Sequence, residues 1–227
     1  MSTDAEDRAL PEAQDLTVGG CAALLLLPEQ ARWLYVFGHG AGAGMRHSFM
    51  QAMAERLARR GIGTLRWELG YMTAGKKRPD PGPVCERQAR AVCVEAAERF
   101  ASLQLVAGGK SMGGRMTSQA HAIEPLPRVR GLAFLGFPLH PAGEPAAKRA
   151  DHLTRIELPM LMVQGSRDKL AEPELLAQTM ARLPTAQLVV IEGADHGLDI
   201  PPTRRGDRHP YDQAAGAIAD WLAHLDS

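Results

Sequence analysis

No charge of either sign dominates this sequence: lysine and arginine together number 26, as do aspartate and glutamate, over 227 residues. A balanced chain raises no field able to recruit nucleic acid or an anionic membrane, so neither is expected as a partner. Long apolar runs are also missing, and none approaches the length of a membrane span. The opening MSTDAEDRALPEAQD is acidic and polar where a secretory leader has a basic start and an apolar centre. A soluble, cytoplasmic protein is expected. Cysteine is scarce: Cys21, Cys85 and Cys93 form an odd set without C-x-x-C spacing, which speaks against a disulfide framework or a zinc site. Cys85 and Cys93 fall on one helical face and read as reduced core thiols. There is no internal repeat, and no cofactor or metal is called for.

What the chain does have is alternation. Residues 1–15 read as a flexible arm, and residues 16–227 as one domain of ordinary α/β size. Apolar strand-length runs lie at Cys21 to Leu27, Trp33 to Phe37, Thr64 to Glu68, Leu103 to Ala107, Gly131 to Gly136, Met160 to Gln164 and Gln187 to Ile191. Helical spacing lies between them. One helix opens on a capping box at Ser48 and Gln51 and closes at Gly61; others start at Pro83, Ser111, Pro173 and Tyr211. Lys76 to Pro83 is too rich in proline for regular structure and reads as a loop. Unbroken apolar strands alternating with helices specify a mostly parallel sheet covered on both faces, with ligands beyond the C-terminal strand ends.

Chemistry-bearing residues stand at those ends. Gly109-Lys110-Ser111-Met112-Gly113 fits G-x-S-x-G, a sharp strand-to-helix turn that lifts a serine hydroxyl clear of the sheet. The same residues would also suit a plain glycine-rich turn with a serine N-cap. A phosphate-binding loop is excluded, because its G-x-x-x-x-G-K-[ST] spacing requires glycine at Gln104. Two later strands run into Gly165-Ser166-Arg167-Asp168 and Glu192-Gly193-Ala194-Asp195-His196-Gly197. Ser111, Asp168 and His196 therefore follow separate strands in the order nucleophile, acid, base.

Three segments carry a family resemblance: His39 to Gly44 (HGAGAG), Tyr71 to Asp80 (Y-M-x-x-G-[KR]-[KR]-x-P-D) and Gly108 to Gly114 (GGKSMGG). The chain resembles the small cap-less serine α/β-hydrolases of the dienelactone-hydrolase-like group over about residues 17–225. It differs from dienelactone hydrolases proper in carrying serine where they carry a cysteine nucleophile. The resemblance implies an α/β-hydrolase fold and a small-molecule ester substrate, with Asp168 at the family's acid position. Chemistry supplies the roles: His196 takes the proton of Ser111, and Asp168 orients the imidazole, with the adjacent Asp195 as rival acid. The N–H groups of Met112 and Ala41 are the expected oxyanion donors, Gly42 being the alternative to Ala41. His39 is expected to brace its loop, and Tyr71 to reach over the site as a substrate contact. Only some two dozen residues separate Gly136 from Met160, too few for a cap, so an open, shallow site is expected.

Two other function classes stay in view. Gly38-x-Gly40-x-x-Ala43, with Glu68 after the next strand, has the look of a dinucleotide fingerprint. A hydrolase fold can also serve as a binding scaffold without turnover.

Overall fold

In a computed structural model that describes residues 10–226, eight strands form one sheet. They are β1 (Gln14–Val18), β2 (Cys21–Leu26), β3 (Trp33–Gly38), β4 (Ile62–Trp67), β5 (Gln104–Lys110), β6 (Val129–Leu135), β7 (Met160–Gly165) and β8 (Ala186–Ile191). Their order across the sheet is β1-β2-β4-β3-β5-β6-β7-β8. β2 runs antiparallel to both β1 and β4, and every pairing from β4 through β3 to β8 is parallel. The helices are α1 (Ser48–Ala58), α2 (Gly70–Thr73), α3 (Gly82–Arg99), α4 (Met112–Ile123), α5 (Pro173–Met180) and α6 (Pro210–Leu225).

The unbroken apolar strands are explained by burial on both faces. Along β3, Trp33, Tyr35 and Phe37 enter one core with Phe49, Met53 and Leu57 of α1 and Ile218 and Trp221 of α6. Leu34 and Val36 of the same strand enter the opposite core with Val92 of α3, Met116 of α4 and Leu176 of α5. Side chains alternate along a strand, so a strand covered on both faces must be apolar at every position. Each fully buried Leu, Ile or Phe contributes about 1.5–3 kcal/mol. Between β6 and β7 the only regular structure is a 3-10 turn at Lys148–Arg155. The described residues form a single α/β domain with no cap.

The structure corrects three local expectations. Gln14 and Asp15, assigned to the arm, belong to β1, which pairs with β2 through Gln14 to Leu25 and Asp15 to Leu24; residues 1–9 of the arm lie outside the described residues. Ser48 is the first residue of α1 rather than its cap. His47 caps the helix, its Nδ1 accepting from the Phe49 N–H at 3.2 Å, and Gln51 donates forward to Glu55 instead of back. Gly108 and Gly109 do not end β5 but lie within it, with φ of 143° and 153°. A Cβ there would stand 2.0 Å from the Ala133 carbonyl oxygen or 2.2 Å from that of Gly38, so only glycine lets β6 and β3 close on this strand.

Candidate active site

The site grows from the junction of β5 and α4. Ser111 has φ 49° and ψ −113°, a strained conformation for a residue with a side chain. Such strain costs roughly 1–3 kcal/mol and persists only where surrounding contacts over-determine it. Here the Ser111 N–H donates to the Leu135 carbonyl of β6 at 3.0 Å, and its own carbonyl accepts from Arg115 at 3.1 Å. Gly113 and Gly114 let α4 press onto the sheet: a Cβ on Gly113 would lie 2.4 Å from the Gly38 carbonyl group, and one on Gly114 2.8 Å from the Gly109 oxygen. The glycines of the elbow are therefore demanded by packing on each side of the serine.

The structure brings Ser111, His196 and Asp168 together. His196 Nε2 is 2.9 Å from Ser111 Oγ, and His196 Nδ1 is 2.8 Å from Asp168 Oδ2. With Nδ1–H donating to the carboxylate, Nε2 carries the lone pair that faces the hydroxyl. Asp168 is 2% exposed. Its Oδ2 also accepts from Gln164 Nε2 at 2.6 Å, and its Oδ1 from the Leu170 N–H at 2.8 Å. Asp195 turns away: its Oδ1 accepts from the N–H groups of Gly197 and Asp199 at 2.8 and 3.1 Å, shaping the loop that carries His196.

The loop after β3 lies beside the serine, where a Cβ added at Gly40 would be 3.7 Å from that of Ser111. His39 holds this loop. Its Nδ1 faces the Gly40 carbonyl at 2.7 Å, and its Nε2 accepts the Leu69 N–H at 3.0 Å, which fixes a neutral tautomer. Burial pushes its pKa down, against the opposing pull of the Gly40 carbonyl and of Glu68. The Gly42 N–H donates to the Tyr71 hydroxyl at 3.3 Å, so this alternative donor is already engaged, whereas Ala41 lies on the exposed part of the loop. Met112 opens α4, where the first amides have no partner within the helix and carry partial positive charge.

Tyr71 departs from its expected part. It sits on α2, fully buried, its ring 6.2 Å from that of His39 and its hydroxyl taken up by the Gly42 amide. It braces the loop from behind instead of reaching over the opening. Glu68, the acid of the dinucleotide reading, is likewise occupied: it accepts from the Met45 N–H at 3.2 Å and from Thr73 Oγ1 at 3.4 Å. In the basic loop, Lys76 pairs with Asp80 at 3.1 Å. No group of histidine, cysteine and carboxylate side chains able to hold a metal ion occurs among the described residues.

The Alpha/beta hydrolase domain family matches residues 31–224 of this sequence. The chain belongs to that family. Among solved structures similar to this alpha/beta hydrolase are the dienelactone hydrolase of Anabaena variabilis and Est1E of Butyrivibrio proteoclasticus with ferulic acid bound. The first is 18% identical with a TM-score of 0.75, over 95% of this chain and 99% of that one. The second is 19% identical with a TM-score of 0.74, over 94% and 99%. A curated Mycobacterium tuberculosis protein, provisionally named a phosphoribosyl transferase, is 29% identical over 211 residues. That match takes in 90% of this chain but 44% of the relative, so the chain spans less than half the length of that protein.

Two members of the site escaped the reading of the sequence. Gln164 bonds Asp168 and also links to Phe137, accepting from its N–H at 2.9 Å and donating to its carbonyl at 3.3 Å. A lone amide closing the apolar run Met160 to Val163 was the available signal. In the sequence Lys110 stands out only as part of the phosphate-loop pattern that Gln104 breaks, yet its ammonium donates to the His196 carbonyl. No helix among the described residues is long and apolar enough to cross a membrane.

Proposed function

We propose that this protein is a serine hydrolase that cleaves small carboxylic esters through an acyl-enzyme intermediate. The observation that carries the reading is the unbroken relay from Ser111 Oγ through His196 to Asp168, at 2.9 and 2.8 Å, on a strained elbow beside two loop and helix amides. Ser111 attacks the ester carbonyl while His196 Nε2 takes the hydroxyl proton, and the imidazolium then returns it to the leaving alcohol. Water, deprotonated by the same nitrogen, attacks the acyl-enzyme and releases the acid. Asp168 keeps the imidazole in the required tautomer and stabilises its cation. Met112 and Ala41 supply the N–H groups that meet the oxyanion, each worth about 3 kcal/mol at the transition state.

Without a cap the opening is shallow, which favours small or varied acyl groups. Three buried free cysteines, Cys21, Cys85 and Cys93, suit the cytoplasm, and a soluble small-molecule ester is the partner this site would take. The transferase name given to the Mycobacterium tuberculosis relative describes a protein more than twice as long and lends no observation to this site.

The reading is tested with a fluorophosphonate probe and a series of p-nitrophenyl esters of rising acyl length. Labelling should fall on Ser111, and Ser111→Ala should abolish both labelling and turnover. Stoichiometric labelling with no hydrolysis of any ester in the series would leave a binding scaffold as the better account.

A further inference from the structure

Lys110 occupies the variable position immediately before the elbow serine, and its side chain runs beneath the site. It is 9% exposed. Its ammonium donates to the His196 carbonyl oxygen and lies 5.6 Å from the centre of the Phe49 ring. Gly136, at the end of β6, clears the space: a Cβ there would stand 2.7 Å from Lys110 Nζ, 2.9 Å from the His196 oxygen and 3.6 Å from His196 Nδ1. Among the described residues Lys110 makes no ion pair, and the His196 carbonyl has no other partner.

A buried, unpaired ammonium is a costly feature, and an apolar side chain of similar length would fill the same volume more cheaply. Burial draws its pKa down to about 8, against the opposing pull of Asp168 and Asp195. What the cation secures is specific. Its backbone is joined to that of Ser111, and its tip is bonded to the backbone of His196. One side chain thus spans the main chains of both residues that must exchange a proton. Elsewhere the His196 loop is held by its own turn around Asp195 and by the loop after β7, where the Arg167 N–H donates to the Ala194 carbonyl at 2.9 Å and the Gly193 N–H to Ser166 Oγ at 2.8 Å.

We propose that Lys110 is a positioning residue: by tying the His196 carbonyl to the strand end that carries Ser111, it sets the distance between imidazole and hydroxyl. This rests on the hydrolase reading above. The test compares wild type with Lys110→Met, Lys110→Gln and Lys110→Arg, in steady-state turnover of a short p-nitrophenyl ester, in fluorophosphonate inactivation rate and in thermal unfolding. Loss of alignment by about 1 Å costs up to roughly 100-fold in rate. Both neutral variants should therefore lose ~10- to 100-fold in kcat and in inactivation rate together, with KM within about threefold of wild type and no loss of melting temperature. Lys110→Arg, which keeps a charged donor, should recover much of that loss. A folded neutral variant with kcat within threefold of wild type overturns the proposal. So does failure of both neutral variants to fold while Lys110→Arg is folded and fully active, since the charge would then serve the fold alone. Wild-type turnover is the separate control: a wild-type protein that neither labels nor hydrolyses overturns the hydrolase reading and this inference with it.

Discussion

Replacing Gly113 with alanine should separate the two halves of the oxyanion site. The added Cβ would fall 2.4 Å from the carbonyl carbon and oxygen of Gly38 and 2.6 Å from the His39 oxygen, all main-chain atoms with no side chain to swing aside. Ordinary carbon contacts begin near 3.5 Å, so relief requires α4 and the end of β3 to part by about 1 Å. The Met112 amide rides on α4, and Ala41 follows Gly38 by three residues, so that displacement opens the gap between the proposed donors. A 1 Å misplacement can cost about 100-fold in rate, and overpacking about 1–3 kcal/mol in stability. At this chain length the melting temperature should fall by roughly 3–10 °C. Gly216 is the matched control, because it lies within α6 and an added Cβ there meets nothing within 4 Å. Gly216→Ala should stabilise the protein by about 0.5–1 kcal/mol and leave kcat unchanged. Turnover of a short p-nitrophenyl ester and thermal unfolding read both variants. A folded Gly113→Ala protein with kcat within threefold of wild type would refute the idea that close contact of α4 with β3 sets the donor geometry.

Acid should destabilise the fold through His152, whose Nε2 lies 2.7 Å from Ser118 Oγ and whose pKa is lowered to about 4 by burial, then by Arg115 and Arg155. A histidine pKa lower in the folded state favours the neutral ring, so this stability is fully present above about pH 6.5 and is lost as pH falls toward 4, by roughly 2–3 kcal/mol. Urea melts at pH 7.5 and 4.5 should differ less in His152→Phe than in wild type, and an unchanged difference would count against burial of the neutral ring. Asp168→Asn should reduce kcat by about 10⁴-fold, as expected when the imidazole loses its orienting carboxylate. Asp195→Asn retains a side-chain oxygen for the Gly197 and Asp199 amides and should keep kcat within about tenfold. Equal losses from the two substitutions would mean that the acid has been misassigned.

The central strands were legible because a strand buried on both faces has no freedom to be polar. Trp33 to Phe37 and Met160 to Val163 announce themselves in that way. β1 was hidden for the opposite reason: its edge position leaves Gln14, Asp15 and Thr17 in solvent, so QDLTV carries no apolar run. Ser48 misled because serine is the usual cap, while the imidazole of His47 performs that task one residue earlier. The glycines of β5 read as a break because glycine weakens most strands; their purpose appears only when Ala133 and Gly38 are seen lying against them. At the site, the relay residues could be read from their places after successive strands. Of their supports, His39 could be read from its loop, but Gln164, Tyr71 and Lys110 could not, because they act through bonds to residues between 4 and 86 positions away, of which no local pattern gives notice.

Those supports share a physical logic. A site without a cap buries little of its substrate, so little binding energy is available to pull catalytic groups into place after the substrate arrives. The groups must already stand where the transition state needs them. Each loop here has its own brace. His39, Glu68 and Tyr71 hold the loop after β3, Gln164 holds Asp168, and Lys110 holds the His196 loop. None of these braces ends on Ser111 Oγ or His196 Nε2. Ser111 and His196 are thus only partly buried, while His39, Tyr71, Gln164, Asp168 and Lys110 are buried. On the proposed reading, such an arrangement would give rate through rigidity and place little constraint on the acyl group.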